Sequence, residues 1–216
     1  MQGSQLERYA RLFGAVEINS SFYRPHLPQT YARWAASVPE DFRFAVKLPK
    51  LITHELKLAG IDQALARFAA EVGALEQRLG CVLIQLPPSA SFDLARAEGA
   101  MARLRDRFDC MLACEARHPS WFGADATALL QAHGITRVIA DPPKGQPGAH
   151  VPTTADIYVR LHGSPRVYYS SYADDYLAAL ADDLRIHAQA NRSVWLIFDN
   201  TASGAAMANA LQLRLC

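Results

Sequence analysis

The chain has 216 residues, half of them apolar, and its 22 Lys and Arg against 21 Asp and Glu give a formal net charge of +1. This length and apolar content suit one domain, over residues 1–216, with a core of its own. The near-zero charge excludes a general electrostatic field for nucleic acid or an anionic membrane.

The opening residues contain neither a cationic nor an apolar leader segment, and no stretch nears the roughly 18 uninterrupted apolar residues of a membrane span. The expectation is a cytoplasmic protein with no membrane partner. The first element is a helix, because Ser4 and Glu7 have capping-box spacing and Gly14 stands where the helix should stop. Apolar or β-branched runs then follow at 16–23, 43–48, 81–86, 111–117, 136–140, 156–161 and 194–198. Between them lie helical patterns at 31–38, closed by Pro39, at 61–79, closed by Gly80, at 94–108, and at 121–133, closed by Gly134. The stretch 142–155 holds four prolines and two glycines and reads as a loop. Cys81, Cys110, Cys114 and Cys216 are too few and too irregular for a disulfide framework. Cys110 and Cys114, four apart on one expected strand, read as small buried thiols.

Alternating strands and helices imply an α/β fold with a parallel sheet. Neither GxGxxG nor GxxxxGK[ST] occurs, so the open nucleotide-binding sheet lacks its usual phosphate loop. Polar groups at the ends of many different strands instead fit a TIM-type (β/α) barrel, with seven strands recognisable. Strand parity places Glu17, Asn19, Ser21 and Tyr23 on one face, and likewise Tyr158, Arg160 and His162. Other strands end in Lys47, Gln85, Glu115 with Arg117 and His118, Asp141, and Asp199 with Asn200. So many charges facing inward must pair, meet water or meet a ligand. In the competing structural reading, Glu17, Glu115, Arg117 and Arg160 form an ion-pair network, Lys47 is a solvated rim charge and His162 bonds a turn. In that reading His54 is a surface or capping residue. Trp34 and Trp195 read as packing, and Trp121 as either packing or ligand contact.

The stretches VEINSSFY (16–23), DFRFAVKLP with ITH (41–54), VLIQLPPS (82–89), CEARHPSW (114–121), AD (140–141), YVRLHG (158–163) and FDNTASGAAMANAL (198–211) resemble the YecE-like family, a domain of unknown function. The resemblance covers the chain from about Ser4 onward. It implies a TIM-type barrel with motif residues at the carboxyl ends of the strands and no settled reaction. Carried onto this chain, the motif positions are Glu17, Asn19, Lys47, His54, Gln85, Glu115, Arg117, His118, Trp121, Asp141, Arg160, His162 and Asn200. Two departures stand out. The family's usual opening strand has no counterpart here, which implies a barrel lacking its first strand, incompletely closed, with strands 16–23 and 194–198 as free edges. Asp199-Asn200 also replaces the family's more usual Asn pair.

The leading expectation is an enzyme acting on a small polar, sugar-like or anionic substrate by acid/base chemistry. Its catalytic groups would be Glu17, Glu115, His162 and Asp141. Asn19, Tyr23, Lys47, His54, Gln85, Arg117, His118, Trp121, Arg160 and Asn200 would bind the ligand. One alternative is a metal-dependent enzyme, sugar-isomerase-like or endonuclease-like, drawing on Glu17, Glu115, His118, Asp141, His162 and Asp199, although no metal-ligand spacing supports it. Another is a phosphate or nucleic-acid binding module using Lys47, Lys50, Lys57, Arg117, Arg160 and Arg166 beside Tyr168, Tyr169 and Tyr172. No cofactor, oligomeric state or bound metal is legible.

Overall fold

A computed structural model describes residues 3–190 and 192–215. The expected capping box is formed: Ser4 and Glu7 bond reciprocally at the start of α1 (Gln5–Ala10). The chain continues as β1 (Ala15–Ile18), α2 (Ser20–Tyr23), α3 (Pro28–Ala36), β2 (Arg43–Lys47), α4 (Asp62–Val72), β3 (Leu79–Gln85), α5 (Leu94–Arg107), β4 (Met111–Glu115) and α6 (Ala124–Ala132). It ends with β5 (Ile135–Arg137), β6 (Ile139–Asp141), β7 (Ile157–Leu161), α7 (Asp174–Gln189), β8 (Val194–Phe198) and α8 (Ala205–Leu213). Every strand pairing is parallel, in two sheets ordered β1-β2-β3-β4-β5 and β6-β7-β8. The fold is therefore α/β with helices crossing between parallel strands.

The structure corrects several boundaries. The run 136–140 is two short strands in different sheets, giving eight strands from seven passages of chain. The break falls at Val138, whose N–H donates to Cys114 O at 3.0 Å between β5, paired to β4, and β6, paired to β7. The run 16–23 is a strand only to Ile18; the rest turns into α2, because the Ser21 hydroxyl bonds Ile18 O (3.0 Å) and Lys47 O (2.7 Å). The helix expected over 61–79 ends at Val72 and continues as a 3₁₀ turn, Gly73–Arg78. The helix expected from Trp121 starts at Ala124, after a separate 3₁₀ turn at Pro119–Phe122. Cys110 lies just before β4 rather than in it; it, Cys81 and Cys114 are free thiols, and Cys216 is outside the described residues.

Two apolar layers position the sheets. Outward-facing Phe44, Val46, Val82, Ile84 and Leu112 pack with helical residues such as Phe68 and Leu104 in the largest cluster. Inner faces of both sheets meet in a second cluster of Ala45, Cys81, Leu83, Ala113, Val138, Tyr158 and Trp195. Gly80 is required there, since a Cβ would stand 2.7 Å from the Trp195 ring.

Among the described residues, the sheets show no ring of paired strands: β1 pairs with β2 alone and β8 with β7 alone. Between them runs a cleft of about 780 Å³, lined on its helix side by Tyr9, Phe13, Met207, Ala210 and Leu213.

Candidate functional site

Alternation along each strand fixes which side chains reach the carboxyl end of the inner face. Below them the inner face is apolar, with Tyr158 stacked on Trp195 at 5.8 Å. Above that layer the side chains become ionic.

Arg160, only 1% exposed, is the centre of the cluster. Its Nε and Nη2 donate to Glu17 Oε2 (3.0 Å) and Oε1 (2.7 Å), Nη1 to Glu115 Oε2 (2.5 Å), and Nη2 to Asp199 Oδ2 (3.1 Å). Glu17 also accepts from Tyr158 Oη at 2.8 Å and Asn19 Nδ2 at 2.8 Å. Glu115 accepts two bonds from Arg117, at 2.9 and 2.8 Å. One guanidinium thus holds three carboxylates, the arrangement that lets buried charges persist in a medium of low polarity.

His162, 4% exposed, follows β7 on the same side. Its Nδ1 stands 3.0 Å from Asp199 Oδ2, while Nε2 lies 3.3 Å from Glu115 Oε1, within ion-pair reach but outside hydrogen-bond geometry. Burial opposes protonation of the ring, but the Asp199 and Glu115 carboxylates outweigh it and raise its pKa. Burial also opposes ionisation of Glu115 and Asp199. The His162 ring and the nearby guanidiniums prevail, holding both carboxyls below the usual carboxylate range.

Lys47 differs from every other charge in the cluster. It is 9% exposed, and its ammonium makes no hydrogen bond or ion pair with a described residue; it lies over the Phe22 ring face, 4.3 Å from Nζ. Burial, with the neighbouring Arg160 charge, pushes its pKa down to about 8 against the partial support of Glu17, Glu115 and Asp199. Other polar groups nearby are also unmatched. Asn19 Oδ1 is buried without a partner, and the Gln85 side chain, 5% exposed, bonds to no described residue. His54 meets Phe22 at 4.8 Å and bonds Thr53 through Nδ1; burial first, then the Lys47 and Arg117 charges, lower its pKa.

The structure therefore gathers Glu17, Asn19, Lys47, Glu115, Arg117, Arg160 and His162, with His54 and Gln85 beside them. The remaining residues named from sequence stand elsewhere. Tyr23 is on α2 and 79% exposed. His118 caps the 3₁₀ turn through Ser120, and Trp121 is a core residue whose Nε1 donates to Ala90 O at 3.0 Å. Asn200 and Asn209 form a buried amide pair that ties the 163–172 segment to α8: Asn200 Nδ2 donates to Ser170 O and Asn209 Oδ1, and Asn209 bonds Ser171 and Tyr172. Asp141 is pinned by the Tyr172 hydroxyl, with its Oδ1 3.3 Å away, and by Tyr176 at 3.1 Å, while its carbonyl accepts from His162 N–H at 2.7 Å. It orders the backbone under His162 without joining the ion network. Gly163, with φ +94°, lets the segment fold back, since a Cβ would meet Ser170 O at 3.0 Å.

Of the expected catalytic carboxylates, Glu17 accepts four hydrogen bonds and Glu115 is paired with two guanidiniums. The residues of the metal alternative are more dispersed. His118 and Asp141 are engaged elsewhere, and among the described residues no three His, Cys, Asp or Glu side chains are placed to hold one ion. Among those residues no helix is long and apolar enough to cross a membrane.

Asp199 is the main residue that strand-end reasoning undervalued. Counting from Trp195, the alternation Trp195, Ile197, Asp199 places it inward and Asn200 apart from it, a signal present in the sequence. Tyr158, named for parity alone, proves to be a direct ligand of Glu17, and Phe22 the partner of Lys47.

Residues 1–215 match the family model described as "Protein of unknown function DUF72", and the chain belongs to that family. It is 33% identical to the UPF0759 protein YecE of Escherichia coli K12 over 146 residues, 64% of this chain and 52% of that protein, so the match spans about half the relative's length. It is 26% identical to the UPF0759 protein YunF of Bacillus subtilis 168, covering 97% of this chain and 85% of that one. A crystal structure of a DUF72 family protein from Thermotoga maritima superposes with a TM-score of 0.78 at 30% identity, covering 94% of this chain and 84% of that one. Another, from Enterococcus faecalis, gives 0.83 at 23% identity, covering 98% and 87%, and supports the fold alone.

Proposed function

We propose that the carboxyl-end cluster, set on a TIM-type framework left open between β1 and β8, binds a small polar substrate with an anionic group and carries out acid/base chemistry on it. The observation that carries this reading is Lys47. A lysine that is mostly buried and has no counter-ion is costly to keep, and three carboxylates nearby are all committed to Arg160. An incoming carboxylate or phosphate would supply the missing charge, with Gln85 and Asn19 offering further hydrogen bonds. His162, oriented by Asp199 and with Nε2 unbonded, is the group suited to move a proton. Glu17 and Glu115 act by holding Arg160 and Arg117 in place. Sugar phosphates and small hydroxy acids are substrate classes of matching charge.

Thermal denaturation in the presence of phosphorylated sugars and small carboxylates tests this. A ligand at a hundredfold excess over its Kd stabilises the folded state by about 2.7 kcal/mol. The expected result is a concentration-dependent rise in Tm for at least one class, absent in Lys47→Ala. No stabilisation across the panel, or an equal rise in Lys47→Ala, would overturn the reading.

A further inference from the structure

We propose that Lys47 is a nucleophile as well as a charge, condensing with the carbonyl of a small aldehyde or keto substrate that carries a carboxylate or phosphate. The inference rests on the anion-binding reading above and deepens it. A lysine can attack a carbonyl only as the free amine, and proteins favour that form by stripping the ammonium of water and of counter-ions, or by placing another cation nearby. Lys47 has no carboxylate within ion-pair distance, is 9% exposed as a residue, and feels the Arg160 guanidinium. A lysine serving only to bind an anion gains nothing from weakened protonation. In this cluster the carboxylates that could have restored the charge are drawn to Arg160 instead.

The chemistry balances without a cofactor. The amine lone pair forms a bond to the carbonyl carbon as the C–O π bond breaks, and the oxygen takes a proton from the His162 imidazolium. The nitrogen then gives one proton back to His162, which passes it to the hydroxyl as the C–O bond breaks, so that water leaves; the remaining N–H proton goes to His162, leaving a neutral imine. His162 is restored, and one water leaves for each imine formed. Its Nε2, 3.3 Å from Glu115 Oε1 while Nδ1 faces Asp199, is the end such a shuttle would use.

The chain has four lysines, Lys47, Lys50, Lys57 and Lys144, so the test has internal controls. Lys50 lies 3.6 Å from Glu55 and Lys144 is exposed. The full chain is incubated at neutral pH with glyoxylate, and separately with glycolaldehyde phosphate, in the presence of cyanoborohydride, and then mapped by peptide mass spectrometry. The expected result is a single reduced adduct on Lys47, at least tenfold over each of the other three lysines, and no adduct at this position in a folded Lys47→Arg variant. Labelling spread evenly over the four lysines, or absent from Lys47, would overturn the proposal. If labelling fails while Lys47-dependent thermal stabilisation by anions persists, the nucleophile falls and the binding site stands. If both fail, the site reading falls with it.

Discussion

The ionic cluster and the seam between β1 and β8 lie side by side, yet they are held together by opposite means. On the seam, two parallel strands present edges with no backbone partner to a cleft of about 780 Å³. In the cluster, side chains do the joining: Glu17 of β1 is gripped by Tyr158 and Arg160 of β7, the middle strand of the other sheet. The cleft reaches the cluster at Glu17, Asn19 and Asp199. Charged side chains therefore span a boundary that backbone hydrogen bonds leave open, and the same groups compose the candidate site. Lys47 alone among the cluster's charges takes no part in that bracing.

The largest expected effect separates bracing from mere presence of charge. Arg160→Met leaves Glu17, Glu115 and Asp199 without their shared cation and cuts the tie across the seam, so it should cost about 3–5 kcal/mol in denaturant unfolding. A loss under 1 kcal/mol would mean that the seam is held by something else.

Lys47→Met should act in the opposite direction. A basic group whose folded pKa is depressed penalises the fold whenever it is protonated. The penalty is complete below about pH 8 and fades as pH rises toward the unfolded value of 10.5. At neutral pH the variant should be more stable by an amount on the order of 3 kcal/mol, and the difference should close between pH 8 and 10.5. His162 has the reverse sign. Its raised pKa contributes stability at acid pH that is lost as pH climbs through the folded value, so the two titrations can be told apart.

Asn209→Ala unties the 163–172 segment from Asn200 and α8. Its expected cost is about 1–3 kcal/mol by thermal or chemical unfolding, because Asn200 and the Tyr172 backbone lose buried partners. The smallest effect is kinetic: amides on the open edges of β1 and β8 should exchange with deuterated solvent faster than those of β3, which is paired on both sides.

Much of this comparison was legible in sequence. Parity alone put Tyr158, Arg160 and His162 on one face and Glu17 on another strand facing them, and free edges were expected at β1 and β8. The parts that escaped depend on contacts that leave no periodic trace. The Ser21 hydroxyl ends β1 by bonding two carbonyls from different strands, and a four-residue helix such as α2 is too short to show a period. Val138 divides one apolar run between two sheets. Trp121 and His118, motif positions carried by the resemblance, are directed by a 3₁₀ turn into packing and capping. The lack of a counter-ion at Lys47 could not be read at all, since it depends on Arg160 claiming the nearby carboxylates.

The most direct test of the central claim is nitrogen NMR of the protein labelled at its lysine side chains. The resonance assigned by its loss in Lys47→Arg should titrate near pH 8 and shift when a stabilising anion is added. A resonance that titrates near the ordinary lysine value of about 10.4 and ignores every anion would contradict the account.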